Sequence, residues 1–540
     1  MQTTTTMRSI LPVPTPPPEL CPYSRASASQ ASADVIPLLV DDTYHVFHLS
    51  TPPSTKHHPQ RLRTTWSRLR STNLLEWERD PQPVISPAES STDPDADGVW
   101  TGCAVLDLDQ NMNIFYTGYN LSRNGQQTIL RTKAFDRHGT IFDSASQPIT
   151  ILGNGLDKFE RIDFRDPFVF FNRAEGRFWM LVGTRLANGP YWSRGCIALL
   201  TSPDLEAWTV SPEPLYAPND VFCPECPELF TLPNGKWYLV YSRFHAPNAG
   251  TVYRMADTPY GPFRVPRDGS HGRLDGRRWY AAKSCPKARD PDKRICFGWI
   301  GDYADDENKW LWGGDLAITR VMWADTNACL RIDASQEFRS YIWRTSRPVS
   351  PGDAAPSLYL CSLGTTATHY PELGSAEWKR HLMVDFKIAA CDAHTFGVML
   401  QVDSTGKGHR LQFTPQGNGF FSVALMTDFP PLDDFWADQY RMHIPRPVDG
   451  PELVRHDNVS LVDGVFLFLR GQIVEVFCGG RALSFRLPIP PNWTDSDRCG
   501  VRRLGWYVED GMVDLVDINM RHSMCVKDGL AESDNLEDAE

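Results

Sequence analysis

All-β architecture is what this sequence predicts, and three observations carry the expectation. Aromatic-rich strand candidates recur at near-regular spacing through the first 300 residues. Amphipathic helix periodicity is almost absent across that region. A second set of strand candidates follows a stretch rich in Pro, Ser, Gly and Thr.

The recurring candidates are segments 44–49, 113–118, 177–182, 236–241 and 294–300, whose starts lie 69, 64, 59 and 58 residues apart. A turn signal precedes each, for example Glu175 and Gly176 or Asn234 and Gly235, and a second apolar stretch precedes most of those turns. The unit is therefore a hairpin repeated five times at a period near sixty. A second echo supports it: Ser71, Leu74 and Trp77 recur as Ser202, Leu205 and Trp208. Repeated antiparallel sheets of this kind close most simply as a five-bladed β-propeller. Strand candidates at 382–388, 396–402, 465–470 and 473–477, with a Gly479-Gly480 hairpin signal after them, predict a following β-sandwich. The expected organisation is a disordered leader over 1–32, the propeller over 33–345, a linker over 346–375, the sandwich over 376–524 and an acidic tail over 525–540.

Composition narrows the partners. Lys and Arg total 54 against 66 Asp and Glu, a formal net charge of −12, which argues against nucleic acid or an anionic membrane surface. No apolar run approaches the roughly 18 residues of a membrane span. The 13 cysteines are an odd, sparse set. Cys223 and Cys226 flank Pro224 and Glu225 with no second Cys or His pair after them, so neither a zinc site nor a disulfide scaffold is indicated. The 14 histidines, His57 and His58 included, read as solvated loop residues, and neither metal nor cofactor is expected. The first residues lack the apolar core of a secretory signal, and a cytoplasmic location is the expectation.

In a propeller the first strand of each repeat lines the axis, so equivalent points of different repeats converge in space. Asp34, Asp166 and Glu225 precede Tyr44, Phe178 and Trp237 by 10, 12 and 12 residues, at the start of three such strands. Three acids are thus predicted to meet at one mouth of the channel. One acid to protonate a leaving oxygen, a carboxylate opposite it and aromatic walls make a sugar-cleaving arrangement. Trp66 and Trp100 are the aromatic residues best placed for a small carbohydrate; Trp279, Trp310 and Trp312 fit either the site or the core. Glu228 and Asp163 read as neighbours of the acids, and Cys226 as a packing and hydrogen-bonding partner.

These residues resemble a known family. Arg165-Asp166-Pro167 and Glu225-Cys226-Pro227 are similar to the Arg-Asp-Pro and Glu-Cys-Pro motifs of glycoside hydrolase family 32, the invertases, inulinases and levanases. Segments 280–284 and 297–301 resemble its fifth-blade motifs, and 472–477 its sandwich strand. The resemblance implies a five-bladed propeller with a sandwich behind it, and retaining hydrolysis of β-fructofuranosides without metal. It implies Asp34 as nucleophile and Glu225 as general acid/base. Asp166 would hold fructose hydroxyls, with Arg165 beside it. Retention would set the two reacting carboxyls about 5–5.5 Å apart. The surroundings of Asp34, Ala33 and Val35 with Ile36 and Pro37, depart from the family's Asn-Asp-Pro-Asn-Gly. A fructosyltransferase, an arabinan- or xylan-type propeller glycosidase and a catalytically silent carbohydrate binder remain open readings.

Overall fold

The computed structural model describes residues 25, 30–52, 63–143, 146–244, 249–304, 309–349, 357–371, 381–402, 406–429, 451–488 and 504–523. Five hairpin-based sheet units occupy the first part of the chain. The first holds β1 (Ser32–Val40), β2 (Thr43–Ser50), β3 (Thr65–Ser71) and β4 (Glu78–Arg79). The second holds β5 (Gly98–Leu106), β6 (Met112–Asn120), β7 (Gln126–Lys133) and β8 (Gln147–Pro148). In the third, β9 (Thr150–Leu152) lies parallel to β13 (Ala207–Val210), outside β10 (Phe159–Asn172), β11 (Arg177–Leu186) and β12 (Gly195–Ser202). The fourth holds β14 (Glu225–Thr231), β15 (Trp237–Arg243) and β16 (Gly250–Ala256). The fifth holds β17 (Trp279–Lys287), β18 (Asp290–Ala304), β19 (Lys309–Leu316), β20 (Arg320–Ala324) and β21 (Leu330–Ala334).

The first strands form the ring that a propeller requires: β1 touches β5, β5 touches β10, β10 touches β14, β14 touches β17, and β17 returns to β1. Closure is covalently distant but hydrogen-bonded. β19 pairs with β18 and also with β1, at Ser32 opposite Gly314, so the first and last units share one sheet. The repeated Ser…Leu…Trp element is a real local device. Ser71 Oγ accepts the Leu74 N–H at 2.9 Å and Ser202 Oγ accepts that of Leu205 at 3.0 Å. Both leucines adopt positive φ, and Trp77 and Trp208 are fully buried beyond them. The serine fixes the turn, and the turn delivers the tryptophan to the core.

The ten-residue helix α1 (Gln336–Thr345), capped by Ser335 Oγ on the Phe338 N–H, leads into the sandwich and buries Phe338 and Ile342. The sandwich strands are β22 (Ser346–Pro348), β23 (Ser357–His369), β24 (His381–Cys391), β25 (Thr395–Leu400), β26 (His409–Gly417), β27 (Phe420–Thr427), β28 (Glu452–Ser460), β29 (Val465–Arg470), β30 (Ile473–Cys478), β31 (Arg481–Arg486) and β32 (Gly505–Ser523). The last of these pairs with β22, β23, β24 and β25. Phe466, Phe468 and Phe477 of the sandwich share a core with Trp279, Tyr238 and Phe338.

Two expected boundaries shift. The stretch expected as a linker, 346–375, contributes β22 and β23 to the sandwich sheet. Among the described residues β23 pairs only with β32, and it exposes most of its Ser, Thr and Gly residues, so its composition resembles a connection although its backbone is laddered. Within the expected leader, 1–32, Ser32 already belongs to β1. Arg25 there is docked: its guanidinium reaches Asp302 at 2.8 Å and Asp315 at 2.5 Å. Those carboxylates hold its pKa above the ordinary arginine value against the opposing effect of burial. The tail expected over 525–540 lies outside the described residues.

The propeller and sandwich are joined by a buried ionic knot. Arg320, fully buried, donates to Asp275 at 2.6 Å, to Glu475 of β30 at 2.8 Å and to Ser484 of β31 at 2.7 Å, with its guanidinium 4.3 Å from the Trp279 ring. Removing the cation strands two buried carboxylates. Arg320→Met is therefore expected to cost about 3–5 kcal/mol, read as a lowered unfolding midpoint in denaturant; an unchanged midpoint would show that the knot carries no net stability. Burial also holds His48 and His456 neutral, pushing their pKa values down to about 3, and His409 down to about 4. The unfolded chain binds protons below about pH 6.5 that the native fold refuses. Stability should consequently fall as pH drops from about 6.5 toward 4, measurable as thermal midpoints across that window, with His456→Gln flattening the slope.

Candidate active site

In every unit the first strand breaks register with the second at an equivalent point: between Ala33 and Val35, Trp100 and Gly102, Arg165 and Phe168, Glu225 and Glu228, and Tyr280 and Lys283; β10 breaks again between Phe159 and Phe164, and β17 between Pro286 and Lys287. These are β-bulges, which re-aim side chains and free a backbone group from the ladder. Asp34, Asp166, Cys226 and Ala281 sit in them with φ of 33°, 59°, 51° and 48°. Such values are costly for residues with a Cβ, and their recurrence at one level of the ring marks a functional site.

The residue before the bulge is Ala33, Trp100, Arg165, Glu225 and Tyr280 in turn. Three of these meet directly: Arg165 Nη2 donates to Glu225 Oε1 at 2.9 Å and the Tyr280 hydroxyl donates to Oε2 at 2.6 Å. Asp34 and Asp166 occupy the bulge itself, so the three acids stand at two register positions, not one. They nevertheless converge. Asp34, Asp166 and Glu225 line one narrow pocket together with Leu49, Trp100, Cys226, Tyr280 and Trp312.

Each acid has its own support. Asp34 Oδ1 accepts the Trp299 indole N–H at 3.0 Å. Asp166 Oδ2 accepts the Cys226 N–H at 2.9 Å, while its own N–H is taken by Thr117 Oγ1 at 2.9 Å. Burial pushes the Asp166 carboxyl above the ordinary carboxylate range, with Arg165 opposing and Glu225 adding to the push. Arg165 is itself held by Asp163 at 2.6 Å. Lys283, almost fully buried, donates to the Gly102 carbonyl at 2.5 Å and sets a positive charge against Asp166. Burial raises the Cys226 thiol well above its usual value, and Asp166 and Asp34 raise it further, so this cysteine is a neutral spacer and amide donor. The arrangement offers two carboxylates in fixed, different environments and a third that is tied to the backbone, all facing aromatic walls. Among the described residues no group of three or more His, Cys, Asp or Glu side chains is arranged to hold a metal ion.

The expected aromatic residues divide. Trp100 lines the pocket, stacked on Tyr119 at 4.3 Å. Trp66 does not: it is fully buried between Phe47 and Tyr116, and its indole N–H donates to the Trp100 carbonyl at 2.9 Å. It supports the wall from behind because β3 is the third strand of its unit, too far out to reach the axis. Trp312 lines the pocket, whereas Trp279 and Trp310 are core. Glu228, in turn, is bound by Arg294 at 2.8 Å and by Ser284, and so is a structural anion. Tyr280 and Trp299 fall in the segments 280–284 and 297–301 whose resemblance is noted above, but neither is among the expected site residues. Aligning the repeats on the residue before the bulge, instead of on the later aromatic strand, would have put Tyr280 level with Glu225.

Comparisons with known proteins follow this geometry. The chain matches the glycosyl hydrolases family 32 N-terminal domain over residues 36–332, a span that opens two residues after Asp34 and includes Asp166 and Glu225. It is 24% identical over 315 residues to an insoluble β-fructofuranosidase isoenzyme of Arabidopsis thaliana, covering 54% of this chain and 51% of that one. It is 26% identical over 342 residues to a fructan 1-exohydrolase of Bromus pictus, covering 58% and 53%. The chain thus spans about half the length of the curated relatives it matches. In fold it is similar to the exo-inulinase of Aspergillus awamori, with a TM-score of 0.66, 17% identity and coverage of 93% of this chain and 98% of that one. It is also similar to fructan 1-exohydrolase IIa of Cichorium intybus, with a TM-score of 0.63, 16% identity and coverage of 94% and 97%. The matched domain takes in more than half of the 540 residues and all five bulged strands in whole or in part, and on that extent the chain belongs to glycosyl hydrolase family 32.

Proposed function

We propose that the protein is a retaining glycoside hydrolase that releases fructose from β-fructofuranosides, sucrose or short fructo-oligosaccharides. The observation that carries this reading is the meeting of Asp34, Asp166 and Glu225 in one aromatic-walled pocket on the propeller axis. The named relatives support it, being β-fructofuranosidases and fructan 1-exohydrolases, as do solved relatives holding 1-kestose or fructose.

In this mechanism Glu225 protonates the glycosidic oxygen while Asp34 attacks the anomeric carbon of the fructosyl unit, giving a covalent fructosyl–enzyme ester and a free leaving group. Glu225, now a carboxylate, takes a proton from water, which attacks the same carbon and frees Asp34. Arg165 and the Tyr280 hydroxyl fix the plane of the Glu225 carboxyl through both oxygens, so the acid changes protonation without changing position. Asp166, tied to the Cys226 amide through Oδ2, presents its carboxyl to the hydroxyls of the bound ring. The narrow pocket walled by Trp100, Tyr280 and Trp312 receives the terminal fructosyl ring in this reading. A cytoplasmic location fits the buried thiols of Cys103, Cys223 and Cys226 around the acids and favours small, transportable substrates.

Two outcomes are expected. Glu225→Gln should lower fructose release from sucrose or 1-kestose by about 10²–10⁴-fold in a variant that still unfolds cooperatively; full activity in this variant would remove Glu225 from the mechanism. NMR of the nascent product should show fructose first as the β-furanose anomer, and Asp34→Asn should eliminate turnover. Inverted product would fit an arabinan-type propeller mechanism instead, and ligand binding with no turnover would mark a silent carbohydrate binder.

A further inference from the structure

In the proposed reaction the pocket lined by Asp34, Asp166 and Glu225 takes the fructosyl ring, so the rest of the substrate lies outside it, on the Glu225 side where the bridging oxygen is protonated. β10 begins at Phe159, seven residues before Asp166, opposite Leu186 at the end of β11. The connection from β11 to β12, residues 187–194, therefore emerges beyond the mouth of the site. It carries Tyr191 and Trp192. Their rings meet edge to face at 5.0 Å, and each lies 5.3 Å from Phe222, three residues ahead of Glu225. Phe222 is buried and Trp192 half-buried, but Tyr191 is 51% exposed.

That exposed ring is held firmly. Arg185, buried, places its guanidinium 4.4 Å from the Tyr191 ring and 4.0 Å from Phe222, and its Nη2 donates to the Tyr191 carbonyl at 3.0 Å. Nη1 of Arg185 donates to Asp163 at 3.1 Å; Asp163 holds Arg165, and Arg165 holds Glu225. One run of charge-assisted hydrogen bonds thus ties the tyrosine ledge to the general acid. A loop that merely connected two strands would need neither a buried arginine beneath it nor an exposed aromatic ring fixed on top.

We propose that Tyr191, backed by Trp192 and Arg185, is the leaving-group subsite: it stacks against the C–H face of the hexose on the far side of the scissile bond. The inference rests on the fructosidase reading, to which it adds the place and chemistry of the second sugar. Arg185 and Asp163 are positioning residues, coupling the ledge to Glu225.

The test compares sucrose with methyl β-D-fructofuranoside, whose leaving group is methanol, for wild type, Tyr191→Phe and Tyr191→Ala, with thermal unfolding as the control for folding. Tyr191→Ala should lower the ratio of kcat/KM for sucrose to that for the methyl fructoside by about five- to tenfold, mainly through KM, while Tyr191→Phe keeps the wild-type ratio because stacking needs the ring and not the hydroxyl. An unchanged ratio in Tyr191→Ala, or equal losses on both substrates, overturns the subsite and leaves the fructosidase reading standing. Wild type that releases fructose from neither substrate overturns that reading and the subsite with it.

Discussion

The constraint on which the site depends is the fate of a backbone N–H. A bulge removes one amide from the ladder of its own sheet, and a buried amide must find an acceptor elsewhere. In this ring the neighbouring unit supplies it. Thr117 Oγ1 of the second unit takes the Asp166 N–H, Asp166 Oδ2 of the third takes that of Cys226, and Ser242 Oγ of the fourth takes that of Ala281. The same bonds that satisfy the bulges therefore lock adjacent units in rotation about the axis. They also make Asp166 both a pocket carboxylate and a ring staple, held at positive φ in a fully packed site.

Much of the architecture was legible in the sequence because its units repeat. Segments 113–118, 177–182 and 236–241 fall inside β6, β11 and β15 or begin one residue before the strand, and the Ser…Leu…Trp echo corresponds to one turn used twice. Asp166 and Glu225 were found by counting back from those strands. The count could not resolve a shift of one residue, so it missed that Glu225 precedes its bulge while Asp34 and Asp166 occupy theirs. Trp66 was misplaced for a related reason: an aromatic residue reads the same on a third strand as on a first, and only strand order tells the wall from its backing. β23 went unrecognised because an edge strand open to solvent needs no alternating apolar face.

Asp34 shows how a residue with an altered local motif is supported from far away in sequence. Its flanks, Ala33 and Val35, are buried apolar residues packed in the propeller core. The carboxylate accepts a hydrogen bond from Trp299 of the adjoining fifth unit, a residue 265 positions away in sequence. Its geometry is thus set by the fifth unit more than by its own neighbours in sequence.

That long-range support gives the site a schedule. Near the beginning of the chain, β1 waits for β19 to close the ring and for Trp299 to receive its carboxylate. Without the fifth unit, the four units from β1 to β16 would be an open arc, with β14 and β1 at its ends. Only with residues near 314 in place can the arc shut and the three acids take up one pocket. The pocket is consequently all or none along the chain, because it draws on residues from Asp34 to Trp312.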